Sequence, residues 1–273
     1  MPVLPANGPS ATGGPPCPLS NAPGSELLAS LPARDIARLY KLLFSLDVAP
    51  LFAGIERIGM WRSPVSDLVF FDPPVTGGDE FYGKLGRIGW YYQESKPEFA
   101  FASAHLPKAG RVLEVGCGPG FLCRRLPDGA RYVGLETSTT ALARGRAAGL
   151  DVRPETVEML ADREPGSFDA VVSFQVLEHV SDPAAFLRAC VRALRPGGTL
   201  IVSVPSADSF LRHTINDVLN LPPHHVTRWS DACLTWCANH FGLELLTLHK
   251  QARTNEMREF DLQADKTRTS GGE

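Results

Sequence analysis

What most limits the fold of this chain is a β-branched run that ends abruptly in glycines. Arg111-Val112-Leu113-Glu114-Val115 leads directly into Gly116-Cys117-Gly118-Pro119-Gly120 and then Phe121-Leu122. A strand followed by a bend poor in side chains predicts the first strand-to-helix turn of a parallel sheet, where a ligand meets the carboxyl ends of the strands. Glycine is needed there because a Cβ would block close backbone approach and because the bend uses φ angles that other residues avoid. The next apolar run ends at Glu136, about 20 residues on, which is where such sheets place an acid for a ribose. Its two oxygens suit two sugar hydroxyls, and its charge strengthens both bonds.

The following residues repeat the alternation. Apolar runs at 111–115, 132–135, 170–174 and 200–204 are short and nearly continuous, as expected of strands covered on both faces. Helical patterns lie between them at 120–126, 140–148 and 183–194. The last is punctuated by Ser181 and Asp182 as caps, Pro183 in the first turn and Pro196-Gly197-Gly198 as a stop. The alternation predicts a doubly wound, mostly parallel α/β sheet of the Rossmann-like kind. A helix at about 230–241 and a strand at 243–248 extend it.

Residues 1–29 are rich in Pro, Gly, Ser and Ala and read as a disordered tail. Residues 30–108, with Ile36, Leu39, Leu42, Leu43 and Leu46 at helical spacing, read as a mainly helical N-terminal lid. Residues 109–250 form the ligand-binding domain. A polar tail at 251–273 follows; either Met257 to Leu262 supply a brief last strand or the sheet edge is incomplete.

Bulk properties narrow the function classes. A net charge of −3 argues against a nucleic-acid scaffold held by electrostatics. No apolar run reaches the ~20 residues of a membrane helix, and the N-terminus lacks the pattern of a secretory signal. Six cysteines without regular spacing point to free thiols in a cytoplasmic protein.

The loop also discriminates between ligands. A dinucleotide fingerprint places its third glycine where this chain has Phe121. Glu114, just before the bend, would repel a phosphate but suits the cationic end of a methionine moiety. The residues therefore favour S-adenosylmethionine (SAM) over a nicotinamide dinucleotide. An NAD(P)-dependent oxidoreductase and a non-catalytic SAM-fold binding module are the alternatives; nicotinamide fluorescence tests the first and loss of SAM binding favours the second.

Four ordered segments resemble the class I SAM-dependent methyltransferases: Val112 to Gly120, Phe168-Asp169-Ala170-Val171-Val172, Val176-Leu177-Glu178-His179-Val180 and Leu194-Arg195-Pro196-Gly197-Gly198-Thr199-Leu200. The resemblance covers about 110 to 205. It implies methyl transfer from SAM to a small-molecule acceptor, at O, N or C. It further implies that Gly116, Cys117, Gly118 and Gly120 pack against the methionine part and that Glu136 holds the ribose. Val157 and Glu158 match the adenine-contacting pair, and Gln175 lies beside the cofactor. Asp169 is expected to be structural, and the Cys117 thiol has no catalytic role.

For an oxygen acceptor the chain must also remove a proton. His179, His224 and His225 are the candidate bases, because histidine titrates near neutrality. The plainer alternative for His179 is capping and packing. His224 and His225 lie in Asn220-Leu221-Pro222-Pro223-His224-His225-Val226-Thr227-Arg228-Trp229-Ser230, a stiff segment with unusual chemical capacity. A rigid connector explains its prolines and Ser230 but not its histidine pair. In some quinone-type O-methyltransferases a Glu-x-x-Glu-His run is associated with a divalent metal. Here Gln175 occupies the first acidic position, and no metal is expected. Cys233, Cys237 and His240 share a helix face but lack knuckle spacing. Tyr91 and Tyr92, beside Trp90, are candidates to close over the cofactor, with core packing as the alternative.

Overall fold

The computed structural model describes residues 13–88, 93–209 and 217–250. Its N-terminal part departs from a helical lid. Strands β1 (Glu26–Pro32), β2 (Arg57–Arg62) and β3 (Val69–Asp72) pair antiparallel, β1 with β2 and β2 with β3. On β2, Ile58 and Met60 are buried while their neighbours are not, the two-residue period of a strand with one wet face. Helix α1 (Ala33–Phe44) packs Ile36 and Tyr40 onto this sheet, and α2 (Asp79–Leu85) adds Phe81 and Leu85. Instead of a tail reaching residue 29, the described residues from Gly13 onward are structured. Cys17 and Leu19 are buried in the main core, and β1 begins at Glu26. Residues 1–12 lie outside the described residues, as does the expected tail at 251–273.

After α3 (Pro97–His105) comes the parallel sheet. Strands β4 (Gly110–Val115), β5 (Ala130–Leu135), β6 (Val152–Arg153), β7 (Phe168–Phe174) and β8 (Leu194–Ser203) lie in the order β6-β5-β4-β7-β8, and every pairing is parallel. β4 is central, with Val112 and Leu113 fully buried, and β7 beside it buries Ala170, Val171 and Val172. Because the crossovers leave β4 on both sides, the crevice above its carboxyl end is the switch point where such sheets bind ligands.

The helices α4 (Thr139–Ala147), α5 (Val157–Arg163) and α6 (Pro183–Ala193) cover the sheet. Asp182 Oδ1 accepts from the Ala185 N–H at 2.8 Å and Pro183 opens α6, which buries Phe186, Leu187, Cys190 and Ala193. Asp169 closes the end of the sheet away from the crevice: its carboxylate accepts from the Arg111 N–H at 2.7 Å and from Arg195 Nε at 2.6 Å. Residues 121–125 form a single 3-10 turn rather than the expected helix.

Past β8 the chain returns to the N-terminal sheet. Strand β9 (Thr227–Arg228) pairs antiparallel with β3, so a strand from beyond the parallel sheet completes the N-terminal sheet, which has the order β1-β2-β3-β9 and is separate from the parallel one. Helix α7 (Asp231–His240) follows, capped by Ser230 Oγ, which accepts from the Cys233 N–H at 3.1 Å. The strand expected at 243–248 does not form. Leu245, Leu246 and Leu248 are exposed, and β8 is the edge of the parallel sheet among the described residues. Met257 to Leu262 lie outside them. No helix among the described residues is long and apolar enough to cross a membrane.

Candidate active site

The bend after β4 is held from β5. The Gly116 and Cys117 N–H groups both donate to the Leu135 carbonyl, at 2.9 and 3.0 Å. Gly116 has φ +72°, and a Cβ there would stand 2.3 Å from Val176 Cγ2. Gly120 has φ +81°, and its Cβ would stand 2.5 Å from Leu150 Cδ1. No L side chain fits either position without strain and displacement. The Gly118 N–H donates to Glu136 Oε2 at 2.8 Å, and the Ser138 N–H donates to Oε1 at 2.7 Å. These bonds hold the carboxylate between the bend and the start of α4, with acceptor capacity to spare on each oxygen.

Beneath the bend, Glu114 is only 3% exposed. Tyr132, on β5, donates its hydroxyl to Glu114 Oε2 at 2.6 Å. Burial pushes the Glu114 carboxyl up to about 8, against the opposing pull of that bond. A buried acid of this kind attracts a cation, whose approach would let it ionise. Burial also drives the Cys117 thiol above its ordinary range, which makes it a poor nucleophile.

Across the crevice, β7 ends at Gln175, whose φ of +57° is uncommon for a residue with a side chain. Its N–H donates to the Ser203 carbonyl at 2.9 Å and its Nε2 to Ser203 Oγ at 3.1 Å. A 3-10 turn at Leu177–His179 follows. Glu178 there is 1% exposed, and neither carboxylate oxygen has a hydrogen-bond partner.

The Pro-Pro-His-His loop closes on this turn. The Val226 N–H donates to the Glu178 carbonyl at 2.9 Å, and Tyr40 donates its hydroxyl to the Leu221 carbonyl at 2.9 Å. His179 Nδ1 lies 2.5 Å from the His224 carbonyl, and His224 Nδ1 lies 2.9 Å from the Leu219 carbonyl. His225 Nδ1 lies 2.8 Å from Asn220 Oδ1. The Asn220 amide is oriented by its Nδ2, which donates to Asp217 Oδ2 at 3.0 Å. All three acceptors are oxygens, so each Nδ1 carries the hydrogen and each neutral ring has its lone pair on Nε2. The ring centroids lie 4.5 to 4.9 Å apart, and Tyr82 of α2 meets His179 edge-on at 5.7 Å.

This corrects the idea that these histidines titrate near neutrality. Burial pushes His179 down to about 4 and His224 to about 3, and holds His225 well below its ordinary value. Glu178 moves the other way, up to about 8 for the same reason.

A cleft of about 1510 Å³ joins the two sides and is lined by Glu114, Gly116, Gly118, Glu136, Gln175 and His179 among others, with Cys117, His224 and His225 also on its wall. The other site residues expected from sequence stand differently. Val157 is buried and Glu158 half-buried at the start of α5, and neither lines the cleft. Tyr91 and Tyr92 lie outside the described residues, and Gly120 sits behind the bend against Leu150. Three contributors were not singled out from sequence: Tyr132, the Glu178 carboxylate and Tyr82. The β period of two places Tyr132 on the same face as Gly134 beside the bend, which is the one signal that marks it. Cys233 and Cys237 are buried core residues.

The fold defines the class: a parallel α/β domain with a cofactor crevice at its switch point. The cradle is formed by backbone that a Cβ would fill, a buried carboxylate lies below it and a second carboxylate lies beside it. These groups fit the adenosyl and methionine parts of SAM.

The chain belongs to the SAM-dependent methyltransferase family. Residues 89–248 match the family profile described as a methyltransferase domain, and membership implies SAM as cofactor. Among curated proteins, the chain is similar to the ubiquinone biosynthesis O-methyltransferase of Xanthomonas oryzae pv. oryzae, at 43% identity over 111 residues, covering 38% of this chain and 46% of that protein. A protein of the same name from Methylococcus capsulatus is also 43% identical over 111 residues, covering 38% of this chain and 47% of that one. The match thus spans under half the length of these relatives. Among solved structures, a SAM-dependent methyltransferase of Thermotoga maritima, titled a possible histamine N-methyltransferase, superposes with a TM-score of 0.50 at 25% identity. That alignment covers 61% of this chain and 80% of the other.

Proposed function

We propose that this chain transfers the methyl group of SAM to a hydroxyl oxygen of a small-molecule acceptor. The observation that carries this reading is the meeting, across one cleft, of the glycine bend with its two carboxylates and a wall of three imidazoles. The names of the curated relatives support oxygen as the receiving atom.

Bound SAM supplies an electrophilic methyl group on a sulfonium, and the chain's own residues do the rest. Glu136 accepts from the ribose hydroxyls, using acceptor capacity left by its two backbone donors. Glu114 faces the cationic methionine end, and the bend brings backbone close. Gln175, fixed by Ser203, borders the cofactor from β7. The acceptor hydroxyl lies against the imidazole wall, so that the C–O bond forms as the C–S bond breaks. Its proton passes to a ring Nε2, the nitrogen that the Nδ1 bonds leave with a lone pair. The depressed basicity of these rings calls for an acidic hydroxyl, such as a phenol, rather than an alcohol.

The test is transfer of labelled methyl from SAM to matched phenols, alcohols and amines. Label is expected in phenols, with turnover falling at least about tenfold in His179→Ala as a proton acceptor is lost. Label in amines alone, or none in any acceptor while SAM binds, contradicts the proposal.

A further inference from the structure

We propose that a cavity behind the histidine wall is a second binding site, for a small organic carboxylate held by Arg228. The cavity has a volume of about 220 Å³ and is lined by Met60 of β2, Val69 of β3, Asn220, His225 and Arg228 among others. It is distinct from the cofactor cleft, although His225 and Glu178 line both.

Arg228 gives this cavity its chemistry. Its Nη2 donates to the Asn220 carbonyl at 2.9 Å, and its guanidinium lies over the Phe71 ring at 5.4 Å. Its Nε is buried with no hydrogen-bond partner. None of the ion pairs among the described residues includes it. Burial draws the guanidinium below its ordinary range, against the pull of Asp217. A cation taken out of water without a close counter-charge is costly, and an anion beside it offsets that cost.

The acids of the cavity do not supply that anion. Asp67 is engaged by Arg62 and by the Ser230 hydroxyl. Asp208 is exposed, where water and salt screen its charge. Burial pushes Glu178 up to about 8, so it is mostly neutral at neutral pH. The planar guanidinium matches a carboxylate better than it matches a point charge. Leu28, Met60 and Val69 add an apolar side to the same cavity, which suits a carboxylate on a short apolar body. The volume is below the ~300 Å³ at which pockets for drug-sized molecules begin, so the ligand is small. Asn220 links the site to the acceptor wall: its carbonyl accepts from Arg228 and its Oδ1 from His225 Nδ1, at 2.8 Å.

This binding does not depend on the proposed reaction. The experiment is calorimetric titration of the full chain, saturated with SAM to keep the cleft occupied, using benzoate as the probe. Benzamide serves as its uncharged counterpart and inorganic phosphate as a charge without an apolar body. One equivalent of benzoate is expected, with benzamide and phosphate at least about tenfold weaker. Arg228→Gln should weaken benzoate at least about tenfold. Leu28→Glu, which places an acid at an exposed position of the cavity lining, should weaken it as well. A cooperative thermal melt reports that each variant is folded, and Leu28→Glu decides the matter should Arg228→Gln fail to fold. No saturable benzoate uptake overturns the site, as do benzamide or phosphate binding as tightly as benzoate, or benzoate affinity undiminished in a folded variant.

Discussion

Tyr132 donates its hydroxyl to Glu114 Oε2 at 2.6 Å, so the carboxylate buried under the glycine bend is answered by the neighbouring strand. A buried acceptor stripped of its donor pays its desolvation in full, about 1–3 kcal/mol. Tyr132→Phe should therefore lower stability by about that amount in urea unfolding. It should also weaken SAM binding near neutral pH, because the lost bond favours the ionised form of Glu114. Unchanged stability and affinity would show that the pair is incidental.

Glu114 also gives stability a slope with pH. Its folded carboxyl is raised to about 8 from an ordinary 4.5, so between those values the folded state holds a proton that the unfolded state has released. The contribution is fully present below about 4.5 and is lost as pH rises toward 8, at about 1.4 kcal/mol per unit. Denaturation midpoints from pH 5 to 8 should fall more steeply in the unaltered chain than in Glu114→Gln. Parallel curves would contradict the assignment.

Two glycines separate backbone strain from contact. Gly116 and Gly149 have φ of +72° and +77°, but only at Gly116 would a Cβ meet a neighbour; at Gly149 nothing lies within 4 Å. Both Gly→Ala variants should lose roughly 1–2 kcal/mol of stability for the left-handed backbone. SAM affinity should fall about tenfold in Gly116→Ala alone, the effect of about 1.4 kcal/mol at the bend. Equal affinities in the two variants would detach the bend from the cofactor.

The parallel sheet was legible because its strands are buried on both faces, which leaves continuous runs such as those of β4 and β7 in the sequence. β1 carries no such mark: Leu27 and Leu28 are exposed, so an edge strand read as tail. Its register comes from partners about 30 residues away on β2, which local pattern does not report. The leucines at 243–248 erred the other way, being apolar yet exposed. The site divides likewise. Glycines and carboxylates at motif spacing revealed the cofactor side, and the histidines were visible as residues. Their low basicity and the unpartnered Glu178 arise from burial beneath a loop joined to β3 through β9, a tertiary event with no local signature.

The bend and Glu136 together carry the account, and calorimetric titration of the full chain with SAM tests them most directly. The unaltered chain should bind in the micromolar range common to enzyme ligands. Glu136→Ala should weaken binding by about 10- to 100-fold, the loss of charge-assisted bonds worth about 1.5–3 kcal/mol, while keeping the fold. Equal affinity in the two proteins, or no binding by the unaltered chain, would contradict it.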